Sequence, residues 1–323
     1  MIRAFDMFCG AGGSSAGARA AGAEIVAGVD MCTIATKTFA DNFPGAQVIS
    51  DRLENLDPDS LKSEIGDIDL LLASPECTNH TCAKGGALRS EASRATAMQV
   101  VRYAEALHPR WLILENVIHM RPWSRYGELK RELTDLGYHL HEHVLDSADF
   151  GVAQRRRRLF LVGDRKRRPS AVIQKYPDLK KSADSVLDPP GTWVTSPLKH
   201  ERRAAATLER ARRGFQALGS DASFLLVYYG SDGRGSGRGG WQPLDRPLRT
   251  ITTLDRFALV SHDQDEPRLR MLQVPELKRA MGFDESFTLP VGTRRDRIRL
   301  LGNGVCPPVM KAVVESLTST SFS

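Results

Sequence analysis

The chain has 323 residues, of which 41% are hydrophobic and 26% charged. That apolar share suffices for one large domain or two modest ones, and it excludes a disordered tail, a collagen-like chain and a disulfide-stapled miniprotein. Lys and Arg number 45 against 39 Asp and Glu, a formal charge of +6, which is a modest excess gathered into blocks rather than a uniformly basic surface.

Ile2–Met7 reads as a strand, followed by a glycine-rich turn and an alanine-rich helix over 14–21. A second strand is expected over 24–29, a helix through Phe39, and a short third strand around Val48 and Ile49. The run DLLLA at 69–73 has the continuous apolar character of a buried parallel strand. A helix over 92–107 leads to a fifth strand at 111–114, a helix over 129–136 and a strand over 159–162. Strands alternating with helices predict an α/β fold, a parallel sheet covered on both faces.

Beyond residue 168 the pattern changes. Pro169, Pro177, Pro189, Pro190 and Pro197 cluster, and helical periodicity persists only around 200–218. The stretch 230–240 holds six glycines in eleven residues and reads as a loop. Ordered signal returns at 247–260, and a last helix is expected from about Pro308 to Leu317, with proline in its first turn. The chain therefore divides into a catalytic α/β domain, 1–168 plus 297–323, and a smaller irregular insertion, 169–296.

Blocks of positive charge sit at 155–158, 165–168 and 202–213. Each alone is compatible with a solvated face, but together they point to a polyanion, with nucleic acid first among the candidates. Five cysteines, at positions 9, 32, 77, 82 and 306, form no C-x-x-C pair. A zinc site and a disulfide framework are therefore not expected, and a reducing compartment is. No run reaches the ~18 apolar residues of a membrane span, and the first twenty residues, broken by Asp6, do not resemble a secretory signal. A soluble, cytoplasmic, nucleoid-associated protein is the expectation.

Four constellations carry chemistry. The run Asp6-Met7-Phe8-Cys9-Gly10-Ala11-Gly12-Gly13 lies between the first strand and its helix, where glycines let a ligand approach the backbone. It lacks the G-x-G-x-x-G spacing of a pyrophosphate loop, because position 15 is Ser. With Asp30 ending the second strand, in position to accept from ribose hydroxyls, it suggests a nucleoside cofactor without a phosphate bridge, such as S-adenosylmethionine. Ser74-Pro75-Glu76-Cys77 and Glu115-Asn116-Val117 follow the fourth and fifth strands, at the sheet end where open α/β sheets bind ligands. Gln154 with Arg155, Arg156, Arg157 and Arg158 precedes the strand at 159–162.

In this order the motifs resemble the DNA (cytosine-5) methyltransferase family over nearly the whole chain. D-M-F-C-G-A-G-G looks like its cofactor loop, S-P-E-C its catalytic loop, E-N-V its base-binding element and Gln154-Arg-Arg156-Arg-Arg158 its Q-x-R-x-R element. R-P-L-R-T-I-T-T at 246–253 is similar to the segment that follows the family's target-recognition region, and Gly302-Asn303-Gly304-Val305 to its last motif.

The resemblance implies a Rossmann-like, S-adenosylmethionine-dependent fold with 169–296 as the DNA-reading domain, and methylation of carbon 5 of a flipped-out cytosine in duplex DNA. It makes Cys77 the nucleophile on C6, Glu115 the partner of N3 and the exocyclic amine, and Arg158 with Arg156 the binders of base and phosphate, with Gln154 supporting the loop. By the same likeness Phe8 packs on the adenine, Gly10, Gly12 and Gly13 line the methionine part, and Pro75 flanks the cofactor. Asp30 holds the ribose, Asp51 the adenine amine, and Asn303 and Val305 close the pocket. S-adenosylhomocysteine is the implied product, no metal is implied, and the implied partners are duplex DNA, bound by a monomer, and a cognate restriction endonuclease.

One departure stands out: the family has Pro directly before the cysteine and Gln after it, where this chain has Glu76 and Thr78. A carboxylate sharing the pocket disfavours the thiolate, although alternation in an extended loop turns Glu76 away from Cys77. Cys82 as the nucleophile, and a catalytically silent DNA-binding homologue, stay open beside Cys77, as does a tRNA cytosine-5 methyltransferase. The long basic insertion favours DNA: Arg202, Arg203, Arg210, Arg212 and Arg213, at helical spacing, suit phosphates, and Arg234 and Arg238, among glycines, suit base edges.

Overall fold

A computed structural model describes residues 1–75, 96–229, 240–263 and 266–319. Seven strands, β1 (Ile2–Met7), β2 (Ala23–Val29), β3 (Gln47–Ile49), β4 (Leu70–Ala73), β5 (Trp111–Asn116), β6 (His139–Asp146) and β7 (Arg157–Asp164), form one sheet in the order β3-β2-β1-β4-β5-β7-β6. β1 to β5 pair in parallel, and β4 is buried along its whole length, as its LLLA sequence requires. The crossovers run through α1 (Gly13–Ala20), α2 (Thr33–Asn42), α3 (Pro58–Ile65), α4 (Gln99–Leu107) and α5 (Tyr126–Asp135).

The sheet is not wholly parallel. β7 runs antiparallel to both β5 and β6, inserted between them. Ten residues, 147–156, join β6 to β7, fewer than a crossover needs, so the chain must turn back as a hairpin. β6 escapes the apolar reading because His139, His141 and His143 occupy one of its faces. α3 also goes unread from periodicity, though Asp57 caps it by accepting from the Ser60 N–H at 3.1 Å, with Pro58 in its first turn.

The region expected to be irregular holds a second, antiparallel sheet. Its strands are β8 (Ser196–Pro197), β9 (Phe224–Val227), β10 (Trp241–Pro243), β11 (Phe257–Asp263) and β12 (Glu266–Met271), in the order β10-β9-β11-β12-β8. α6 (Ala205–Leu218) covers one face, where Ala211 meets Phe224, Leu226, Ala258 and Val260. Alternation sends Leu225, Val227 and Leu259 to the other face, into the main core.

α7 (Val274–Ala280), α8 (Arg294–Asn303) and α9 (Pro307–Thr318) complete the chain. Arg270 and Glu276, both buried, pair at 2.6 Å, and Glu276 also accepts from the Asp188 and Gln273 N–H groups, which ties β12 to α7 and to the loop before β8. α9 packs on α1, covering the sheet face opposite the one beneath α3, α4 and α5. Both layers leave the carboxyl ends of β1, β2, β4 and β5 open to loops, and the site is built there.

Candidate active site

The turn after β1 takes left-handed backbone at Phe8 (φ 57°), Gly10 (φ 54°) and Gly12 (φ 100°). For Phe8 that conformation is uncommon in a residue with a Cβ, and it is held by the Cys9 N–H donating to the Val29 carbonyl at 3.0 Å. Asp30, at the end of β2, accepts from Gly10 N–H at 3.0 Å and from Cys32 N–H at 2.8 Å, tying the glycine turn to the start of α2. Burial pushes its pKa up. Below the turn Asp6 is fully buried, takes the Ser15 hydroxyl at 2.6 Å on one oxygen and leaves the other without a partner. That burial raises its pKa to about 7.

Gly13 packs so closely on the Val305 carbonyl that a Cβ there would collide with it, so the turn between α8 and α9 abuts the glycine turn after β1. Val305 is buried and Asn303 exposed. Asp51, past β3, accepts from the Arg52 N–H at 2.6 Å and Asn55 Nδ2 at 2.7 Å, bonds that hold its pKa down. Met31, directly after Asp30, is 57% exposed, a large apolar side chain at a strand end that the sequence reading passed over. A Cβ on Gly10 would meet nothing within 4 Å. Open space over the turn, the Asp30 carboxylate at the end of β2 and the side chains of Phe8 and Met31 beside it are compatible with a nucleoside whose tail carries no phosphate.

The neighbouring strand ends bring the other motifs in. Asn116 Nδ2 donates to the Pro75 carbonyl at 3.2 Å, and the Ser74 and Ser14 hydroxyls lie 3.1 Å apart, so the β4 loop is pinned between β5 and α1. Cys77, with Glu76, Thr78 and Cys82, lies outside the described residues, as do Arg234 and Arg238. Glu115 is 6% exposed, and its Oε1 lies 3.2 Å from Arg158 Nε without hydrogen-bond geometry. Burial raises its pKa, while Arg158 and then Arg156 oppose the rise. A narrow pocket, about 10 Å³, is lined by Glu115, Leu145, Ser147, Arg156, Arg158, Phe160, Val305, Cys306 and Val309. Cys306, which the sequence did not single out, has its thiol pushed up to about 11 by burial there. Among the described residues no group of three or more His, Cys, Asp or Glu could hold a metal ion.

The arginine run divides by parity. Arg156 is 3% exposed and Arg158 lines the pocket, whereas Arg155 and Arg157 point outward. Arg156, expected at the base, lines the pocket and also reaches backbone on its far side. Its two terminal nitrogens donate to the Ile251 carbonyl at 3.1 Å and the Gly302 carbonyl at 2.8 Å, which makes it a clamp between the 246–253 segment and the end of α8. Gln154 supports the same junction: its Oε1 accepts from Ile251 N–H at 2.7 Å and its amide lies 2.8 Å from Met281 sulfur. A Cβ on Gly302 would run into the Thr252 carbonyl, so the clamp closes on a contact only glycine permits. One stack of backbone thus links Thr252, Gly302, Val305 and Gly13.

Comparison with known proteins agrees with this geometry. The family model described as C-5 cytosine-specific DNA methylase matches residues 2–319. The type II methyltransferase M.DdeI of Desulfomicrobium norvegicum is 28% identical over 170 residues, 51% of this chain but 41% of its own length. The type II methyltransferase M1.HphI of Haemophilus parahaemolyticus is 26% identical across 97% of this chain and 85% of its own. A variant of Spodoptera frugiperda DNMT2 superposes with a TM-score of 0.72 over 99% of this chain and 100% of that one, at 17% identity, a likeness of fold. The sheet order, the loops at its carboxyl end and a match spanning nearly every residue place the chain in the C-5 cytosine-specific DNA methylase family.

Proposed function

We propose that the protein transfers a methyl group from S-adenosylmethionine to carbon 5 of a cytosine flipped out of duplex DNA. The observation that carries this is Glu115: a buried carboxyl with an oxygen lacking a hydrogen-bond partner, beside Arg158 and one strand from the Pro75 loop that leads to Cys77. A raised pKa suits a group that must donate to cytosine N3 while accepting from the exocyclic amine. Cys77 adds to C6, the Sγ–C6 bond forming as the ring's electron pair moves to C5, and C5 becomes a nucleophile. Once C5 is methylated, loss of its proton to water restores the C5=C6 bond and expels the Cys77 thiolate.

Bound S-adenosylmethionine supplies the electrophilic methyl of its sulfonium. Asp30 would hold its ribose, Asp51 its adenine amine, Phe8 and Met31 its ring, and Gly10, Gly12, Gly13, Pro75, Asn303 and Val305 would enclose the rest. Residues 169–296 serve as the DNA-reading domain. We read the molecule as a monomer on DNA in the cytoplasm; relatives named type II methyltransferases support a cognate endonuclease as its partner. Tritiated donor incubated with duplex DNA or with tRNA tests the proposal: label in the duplex as 5-methylcytosine is expected, and label in tRNA alone would replace it.

A further inference from the structure

We infer that Arg155 and Arg157, the outward-facing half of the arginine run, form a phosphate-binding lip that grips the DNA backbone beside the flipped base. This rests on the reading that duplex DNA is the substrate. The two residues alternate with Arg156 and Arg158 along one extended segment, so a pair that faces the site fixes a pair that faces solvent. Arg157 lies opposite Asp146 across the β6–β7 ladder, at the sheet end where Glu115 sits, and Glu115 itself pairs with Phe160. The lip is therefore beside the pocket.

Its charge is poorly compensated. The Arg155 side chain is 73% exposed and meets Asp146 at 3.7 Å. The Asp146 Oδ1 is already engaged by the N–H groups of Arg156 at 3.0 Å and Ala148 at 3.3 Å. Arg157 makes no ion pair or side-chain hydrogen bond among the described residues. Of the two guanidinium groups, Asp146 thus meets only that of Arg155, at 3.7 Å.

The backbone beneath is rigid. Arg155 N–H donates to the Leu248 carbonyl at 2.7 Å, Leu248 N–H to Ala153 at 2.8 Å, and the Thr250 hydroxyl to the Arg155 carbonyl at 2.9 Å. Arginines so presented match phosphate oxygens by charge and by fork geometry, whatever the base sequence.

The test is anisotropy of a labelled mixed-sequence duplex, and of a labelled tRNA, from 50 to 200 mM KCl. Wild type is compared with R155Q/R157Q and with K166Q/R168Q, the latter at the opposite end of β7. Each phosphate contact contributes about −0.9 to the slope of log K against log salt. R155Q/R157Q should therefore flatten the duplex slope by about two, with donor affinity unchanged and kcat at saturating duplex within about twofold of wild type. K166Q/R168Q should leave the slope alone. An unchanged slope in R155Q/R157Q, or an equal flattening in K166Q/R168Q, overturns the lip while leaving the proposed reaction standing. A wild type that binds tRNA in preference to duplex overturns the proposed substrate and the lip together.

Discussion

β7 carries a block of positive charge at each end, and the two blocks differ in everything except composition. At the end near Glu115, Arg156 clamps two carbonyls, Arg158 sits in the pocket, and Arg155 and Arg157 face solvent. At the far end Arg165 reaches the His108 carbonyl at 3.4 Å, Arg167 donates to the Ser319 carbonyl, and Arg110 and Arg167 both lean on the fully buried Asp164. That block knits the ends of α4 and α9 to the sheet. In the 202–213 cluster, Arg212 and Arg213 lean on Glu209, and Arg203, just ahead of α6, donates to Ser196 and Pro197. Charge density alone does not locate function. What each guanidinium already touches does.

The largest expected effect lies at Arg158. In R158Q, Glu115 loses the charge opposing its burial, and kcat should fall about 10²- to 10³-fold, as when one preorganised electrostatic partner is removed from an active site. Single-turnover methylation at saturating DNA measures this. A loss confined to KM would move Arg158 from the chemistry to binding.

Arg156 should respond differently. R156M leaves the buried carbonyls of Ile251 and Gly302 without this donor, at about 1–3 kcal/mol each, so stability should drop by about 2–6 kcal/mol. Urea unfolding reads that loss directly. A stability equal to wild type, with methylation abolished, would return Arg156 to the base.

A pH-dependent effect is expected at Asp6, away from both blocks. Its folded pKa of about 7 exceeds the unfolded 3.8, so the folded state keeps a proton that the unfolded chain releases. The resulting stability is fully present below the unfolded value and is lost as pH rises through about 7. D6N should gain Tm relative to wild type between about pH 5 and pH 8. A difference independent of pH would mean that Asp6 is ionised throughout.

Much of this was readable in the sequence, for physical reasons. β4 is a continuous apolar run and β5 begins as one, and the candidate site residues stand at strand ends, where position in the chain fixes position in the crevice. β6 was hidden by three histidines on one face, and the second sheet by short strands set among prolines and glycines. The role of Arg156 was hidden because its acceptors lie 95 and 146 residues away, a separation no local pattern encodes. Cys306 entered the pocket only because α9 starts beside Val305.

A covalent Cys77 intermediate on a flipped cytosine is decided by a duplex carrying 5-fluorocytosine. Fluorine cannot leave as a cation, so the adduct should persist after methylation. Incubation with donor should give a denaturation-resistant protein–DNA complex, and peptide mapping should place the linkage on Cys77. A linkage on Cys82, or full 5-methylcytosine formation by a C77S variant, would contradict it.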